Sequence, residues 1–300
     1  MVHWRSELGL VLTSGPAEGG RSWDGCPRNS DGEALGHVTA IANQKGGVGK
    51  TTTAVSLAAA LAIAERSTLL IDIDPQCSAT KALGLKSGPA GDMYSVLAGE
   101  APLEEILVPT ELEHLSVAPA SRDLVGIELE LVTSEGREGR LKKALVQVRD
   151  RFQFILIDCP PSLGLLTVNA LAAADGLLIP VQCEYLALEG VSQMVETLQR
   201  IQAAVNPDLV LDGVLLTMFD QRANLSRQVV NDIREYFKEK VFHSIIPRNI
   251  RLGEAPSFGR PIMLYDIRSK GSETYLNLAR EVIRNHEKTS ARQRTQQPHP

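Results

Sequence analysis

Five apolar runs punctuate the chain, and each gives way to polar chemistry at its end. They are HVTAIANQ from residue 37, STLLIDID from 67, FQFILIDCPPS from 152, DGLLIPVQ from 175 and LVLDGVLLTMFD from 209. Near-continuous Val, Ile and Leu without strict alternation is the pattern of strands covered on both faces, as in a parallel sheet. Between them lie stretches of helical character: TTTAVSLAAALAIA from 51, LEGVSQMVETLQRIQAAV from 188 and NLSRQVVNDIREYFKEK from 224. Strands alternating with helices predict a single α/β domain, a mainly parallel twisted sheet with helices on both faces. Ligands of such sheets gather at the C-terminal ends of the strands, where the carboxylates and glycines of these runs fall.

The flanks read differently. Residues 1–36 are rich in Gly, Ser, Pro and charge and lack periodicity, so a disordered leader is expected there. The segment KTSARQRTQQPHP, residues 288–300, reads as a disordered polar tail. The folded domain is then expected over 37–287. The four cysteines, Cys26, Cys77, Cys159 and Cys183, form no C-x-x-C pair and suggest a reducing cytoplasm. No run approaches the ~18 apolar residues of a membrane span, and no export signal is evident, so a cytoplasmic protein without a membrane partner is expected.

Net charge is −5, but it is unevenly spread: from residue 221 onward there are 15 Lys+Arg against 8 Asp+Glu. The basic C-terminal quarter supplies Arg222, Arg227, Arg248, Arg251, Arg260, Arg268 and Lys270, some beside turn residues that suggest exposure. Such side chains neutralise nucleic-acid phosphates, although a run of charge is also what any solvated face shows.

The strongest chemical signal is QKGGVGKTTT, residues 44–53. Gly46, Gly47 and Gly49 allow backbone N–H groups to converge on phosphate oxygens, and the helix beginning at Lys50 adds its positive end. Lys50 is expected to reach the β- and γ-phosphates of ATP, and the Thr51 hydroxyl to ligate Mg²⁺. The usual G-x-x-x-x-G-K-[ST] pattern fails, because Gln44 stands where its first glycine belongs and Lys45 follows. Asp72 and Asp74 alternate along one strand end and share a face, while Asp158 ends another apolar strand as a metal-supporting carboxylate would.

A K-G-G-x-G-K-T-T loop resembles the deviant Walker A motif of the ParA/MinD superfamily. DPQCSAT, DCPPSLG, TMFDQRANLSRQV and IPRNIRLGEAPSFGRPI resemble segments of its ParA/Soj branch, from about His37 to about Ala279. One departure is DPQCSAT, where that branch commonly has DPQGNAT. The resemblance implies a slow Mg²⁺-dependent ATPase whose nucleotide lies on Lys45, Gly46, Gly47, Val48, Gly49, Lys50, Thr51 and Thr52. Lys45 would cross a dimer interface to the partner's ATP, Asp74 would position the attacking water, and Asp72 would support Mg²⁺ through water. Met218, Pro247 and Asn249 are either the adenine wall or packing and turn residues. The implied partners are a second copy of the chain with ATP, non-specific double-stranded DNA and a ParB/Spo0J-type protein, which would place the protein on the nucleoid. Arg222, Arg251, Arg248, Arg268 and Lys270 are the expected DNA contacts.

Three other readings share parts of this pattern. A MinD-like membrane-surface ATPase would end in an amphipathic helix with bulky apolar residues, whereas REVIRNHEKTSARQRTQQPHP turns wholly polar after Val282 and Ile283. An electron-transfer protein like the nitrogenase iron protein would need two well-placed cluster cysteines per chain, and these cysteines are isolated. A ParA-like ATPase that positions another cargo is not separated by sequence alone. The short segment before the glycine loop leaves no room for a helix-turn-helix domain, so operator-specific binding is not expected.

Overall fold

The structure, a computed structural model, describes residues 36–88 and 90–296. Seven strands form one sheet: β1 (His37–Ile41), β2 (Thr68–Asp72), β3 (Val108–Pro109), β4 (Leu115–Ala118), β5 (Phe154–Asp158), β6 (Gly176–Gln182) and β7 (Val210–Thr217). Their order is β3-β4-β2-β5-β1-β6-β7, with every neighbour parallel except β3 against β4. The five long apolar runs supply β1, β2, β5, β6 and β7. The edge strand β3 is two residues long and carries Pro109, which cannot donate to a ladder.

Helices cover both faces, as expected. They are α1 (Lys50–Ile63), α2 (Ser78–Ala82), α3 (Met93–Ala98), α4 (Leu124–Glu130), α5 (Arg140–Leu145), α6 (Leu165–Ala173), α7 (Ala187–Ala204), α8 (Asn224–Phe237), α9 (Ile250–Glu254), α10 (Ile262–Tyr265) and α11 (Lys270–Gln296). Alternation along the strands divides the core. Phe154 and Leu156 of β5 join α1, α10 and α11 on one side, whereas Ile155 and Ile157 join α3 to α8 on the other. Each fully buried Leu or Ile contributes roughly 1.5–3 kcal/mol. Helix α1 is alanine-rich and buried nearly all round, as a helix between the sheet and α11 must be.

Only Gly36 of the expected leader is described. Its N–H donates to the Arg149 carbonyl at 2.9 Å, and Arg149 Nε donates to the Gly36 carbonyl at 2.9 Å. The rest of that segment lies outside the described residues. The C-terminal boundary differs from expectation: α11 continues past 287 to Gln296, and only 297–300 lie outside. Polar composition suggested an end at 288, but Lys288, Ala291, Arg292 and Gln293 are good helix formers, and no proline occurs before Pro298.

At the N-terminal ends of the strands, away from the glycine loop, charged groups form a half-buried cluster. His37 Nε2 lies 3.1 Å from Asp212 Oδ2, which also accepts from Thr39 Oγ1 at 2.8 Å. Asp175 Oδ2 accepts from Arg149 at 2.6 Å and from the Val38 N–H at 2.8 Å, and lies 3.8 Å from His37 Nδ1. His286 of α11 packs on His37 at 4.8 Å between ring centroids and on Phe154 at 5.5 Å. Burial, followed by the neighbouring His37, lowers the pKa of His286 to about 4, against opposing pulls from Asp212 and Asp175. Below the unfolded pKa of about 6.5 the unfolded chain therefore binds a proton that the folded His286 refuses. This stability is present above pH ~6.5 and is lost as pH falls towards 4, up to about 3 kcal/mol. His37 has the opposite sign: although burial is the largest influence and pulls downward, Asp212 and Asp175 leave its pKa raised, so its contribution fades as pH rises. Urea unfolding of His286→Gln between pH 7 and 4 should show a shallower acid loss than the parent. Identical slopes would locate the loss elsewhere.

Candidate nucleotide and metal site

The glycine loop leaves β1 at the centre of the sheet and is braced from beneath by residues the sequence reading did not single out. Asn43 donates from Nδ2 to the Pro180 carbonyl at 2.8 Å, and its Oδ1 accepts the Lys45 N–H at 3.0 Å. Thr217, at the end of β7, donates to the Val48 carbonyl at 2.8 Å. Gly47 and Gly49 have φ of 73° and 90°, a left-handed backbone that would strain any other residue. A Cβ added at Gly46 or Gly47 would meet no atom within 4 Å, so the outer side of the loop is open.

The two lysines point to different places. Lys50 is buried and donates from Nζ to the Lys45 carbonyl at 3.1 Å, inside the loop. Burial lowers its pKa, opposed by the charges of Asp158, Cys159 and Asp74. Lys45 is exposed, and its Nζ lies 3.8 Å from Glu184 Oε2 after β6. Glu184 also faces Arg248 at 3.7 Å and accepts from Gln182 Nε2. A carboxylate just beyond the end of a parallel strand is the signal that marked Asp74, and it could have marked Glu184.

Register brings the acidic strand ends together, with Asp72 of β2 directly beside Asp158 of β5. Both are fully buried. Neither Asp158 oxygen has a hydrogen-bond partner among the described residues. Burial first, then the charge of Asp72, pushes its pKa well above the usual carboxylate range. Thr51 and Lys50 pull the other way, the Thr51 hydroxyl from close by but outside hydrogen-bond geometry. An orphaned buried carboxylate beside a threonine hydroxyl fits a hard divalent cation. Mg²⁺ typically takes one or two protein oxygens and completes its shell with phosphates and water. Consistently, no group of three or more His, Cys, Asp or Glu side chains among the described residues is arranged to hold a metal by itself. Asp158 and Thr51 are the residues that would hold Mg²⁺.

Asp72 is hydrogen-bonded from within the protein. Its Oδ1 accepts the Asp74 N–H at 3.1 Å, and its Oδ2 accepts the Thr80 N–H at 2.8 Å and the Thr80 hydroxyl at 2.7 Å. With both oxygens engaged, it holds the turn after β2. Burial raises its pKa to about 6, against the lowering effect of those hydrogen bonds. Asp74 is nearly buried, and its Oδ1 accepts the Gln76 N–H at 2.9 Å. The turn closes through the Cys77 N–H on the Asp74 carbonyl at 2.8 Å, with Cys77 left-handed at φ 56°. Just beyond α2, Gly84 meets Gly259 backbone to backbone: a Cβ on Gly259 would stand 2.8 Å from Gly84 Cα.

Comparison with known proteins decides the family. An AAA domain model matches residues 36–211. The chain is 56% identical over 261 residues to the chromosome partitioning protein ParA of Myxococcus xanthus, covering 87% of this chain and 92% of that one. It is 52% identical over 252 residues to the sporulation initiation inhibitor protein Soj of Bacillus subtilis, covering 84% of this chain and all of its relative. The chain belongs to the ParA/Soj family of partitioning ATPases. Among solved structures, a Mycobacterium smegmatis protein described as cobyrinic acid a,c-diamide synthase, with a bound ATP analogue and magnesium, is similar at TM-score 0.73 and 39% identity, covering 83% of this chain and 95% of that one. The cell division ATPase MinD of Pyrococcus furiosus is similar at TM-score 0.70 and 26% identity, over 83% and 99%.

Within this ParA/Soj fold, backbone pairing joins the segment after β7 to residues 246–248. Phe219 N–H donates to the Ile246 carbonyl at 3.0 Å, Arg248 N–H to the Phe219 carbonyl at 2.9 Å, and Phe219 bridges Pro247. Met218, left-handed at φ 52°, directly precedes Phe219 just beyond the end of β7. Asn249 caps α9 by accepting the Arg251 N–H at 2.8 Å. A cavity of about 250 Å³ lies behind the glycine loop, lined by Thr51, Thr52, Ser78, Lys81, Leu252 and Arg260. The open phosphate-binding side of the loop is not part of it.

The basic residues divide into two groups, all exposed. Arg222 and Arg248 stand beyond the end of β7. Arg251 and Arg268 meet Asp266, which lies 3.6 Å from Arg251 Nε and accepts the Arg268 N–H at 3.2 Å, and Lys270 opens α11. Arg251 also pairs with Glu254 at 2.8 Å, and Lys270 with Glu273 at 2.7 Å. Exposed pairs of this kind contribute little to stability, so these cations can exchange carboxylate for phosphate at small cost.

Proposed function

We propose that ATP and Mg²⁺ close two copies of this chain face to face, that the dimer binds double-stranded DNA without sequence preference, and that a ParB/Spo0J-type partner stimulates slow hydrolysis and release. The observation that carries this reading is the outward placement of Lys45, away from the phosphate cradle that Lys50 serves. Around it, at the same end of the sheet, stand exposed apolar side chains: Leu163 at 42% exposure, Tyr185 at 82%, Leu186 at 52% and Leu225 at 45%. An apolar rim of this kind marks a protein interface. Two copies pressed together would bring each Lys45 to the other's ATP and set two groups of basic residues side by side, raising DNA affinity through effective concentration. The relatives named for chromosome partitioning support the same reading, which places the protein on the nucleoid. Among the described residues no helix is long and apolar enough to cross a membrane.

Fluorescence anisotropy on an unrelated DNA duplex tests it, using the Asp74→Ala form without nucleotide, with ADP, and with ATP plus Mg²⁺. Binding is expected only with ATP, with log affinity falling against log salt by roughly 0.9 for each phosphate neutralised. Binding in no state would remove DNA as the track, and equal binding in all three would remove the switch.

A further inference from the structure

We propose that Thr80 is a positioning residue for ATP hydrolysis, its hydroxyl fixing Asp72 and thereby the carboxylate of Asp74. The inference rests on reading Asp74 as the group that positions water. Thr80 sits in α2, 2% exposed, between Asp72 at 0% and Ala120 at 3%. The Ala120 N–H donates to Thr80 Oγ1 at 3.0 Å. With that lone pair occupied, the hydroxyl proton is directed to Asp72 Oδ2, 2.7 Å away, where the Thr80 N–H also donates at 2.8 Å. Both donors on one oxygen stop the carboxylate from rotating, and its other oxygen is left for the Asp74 N–H at 3.1 Å. The chain of contacts thus runs Ala120, Thr80, Asp72, Asp74.

Its far end is fixed to the sheet, because Ala120 follows β4, and Ala118 of β4 pairs in register with Ile71 of β2. The near end needs such an anchor. The Asp74 turn ends on Cys77 with φ 56°, a conformation that a non-glycine residue holds only where its surroundings enforce it. Asp74 also stands close to two other carboxylates, Asp72 and Asp158, whose charges favour moving it away. A turn under both influences keeps its geometry only while its root is held. Among the described residues, the Thr80 hydroxyl and N–H bond only Asp72 and Ala120 and not the glycine loop, so the effect should fall on the hydrolytic step and not on nucleotide affinity.

The experiment measures kcat for ATP and, separately, ATP affinity for Thr80→Val, Thr80→Ser and Asp74→Ala. Valine keeps the shape and deletes the hydroxyl; serine keeps the hydroxyl. Loss of a hydrogen bond to a charged group converts to roughly tenfold to a hundredfold. Thr80→Val should lose that much in kcat with ATP affinity within about twofold, Thr80→Ser should stay near the parent, and Asp74→Ala should stall. If Asp74→Ala stalls while Thr80→Val turns over normally, the Thr80 inference fails alone. It also fails if Thr80→Val loses ATP binding or folding, since Thr80 would then be an ordinary core residue, and if serine does not rescue. Normal hydrolysis by Asp74→Ala would remove the reading of Asp74 itself, and any Thr80 effect would not act through it.

Discussion

Exchanging Lys45 for glutamine should abolish ATP-dependent self-association while the single protomer still binds ATP. The geometry separates the two lysines of the loop. Lys50 is buried with its ammonium at the Lys45 carbonyl, where it would meet the phosphates of its own nucleotide. Lys45 has 43% of its side chain exposed and a single long contact, 3.8 Å to Glu184. A pair that exposed contributes about 1 kcal/mol at most, so its loss should not disturb the fold. On the proposed reading, what the variant would lose is a cation delivered to a second copy's transferring phosphoryl group. Charge supplied in trans to such a group contributes about 10³–10⁵ in rate in other phosphoryl-transfer enzymes, and hydrolysis should fall by at least about 10². Sedimentation velocity with ATP and Mg²⁺ reads association, and fluorescent-nucleotide titration reads protomer affinity. A dimer that still forms with normal turnover would place Lys45 outside the interface.

Asp74→Ala should give the opposite phenotype: ATP bound, dimer accumulated, and hydrolysis reduced by about 10²–10⁴, the range for loss of a general base or water-orienting group. The substitution removes the Asx contact to the Gln76 N–H, worth roughly 1 kcal/mol. It also removes one of three crowded carboxylates, which works in the other direction. Thermal stability should therefore stay near the parent's, so that lost turnover is not lost fold. A stopped-flow phosphate-release assay decides the matter: parent-like release would move the water-positioning role to another group.

Much of this site was legible because its physics is local. A run such as FILID can be read as a strand because both of its faces are buried, and GGVGKT as a phosphate loop because glycine spacing sets backbone geometry directly. What escaped depended on contacts distant in sequence. Glu184 meets Arg248 across 64 residues and Ala120 meets Thr80 across 40, and neither pairing leaves a pattern in a single chain. Strand alternation led to Asp72 and Asp74, yet could not show that β2 ends at Asp72 or that Thr80 occupies Asp72. The four residues of β4 and the two of β3 were too short for any periodicity to register. At the other end, α11 outran expectation because its last turns rely on helix propensity without an apolar stripe.

The Gly84–Gly259 contact carries a mechanical implication. Side chains between two segments act as a cushion, because rotamers can absorb a small shift, but two backbones in direct contact have none. Residues 78–84 hang from the turn that holds Asp74, while 250–260 carry Arg251 and Arg260 and follow directly from Pro247 and Asn249. A displacement of an ångström on one side must be taken up by the other. On the reading proposed above, movement of the Asp74 turn and tilt of the basic surface would be linked at this point like two gear teeth without play.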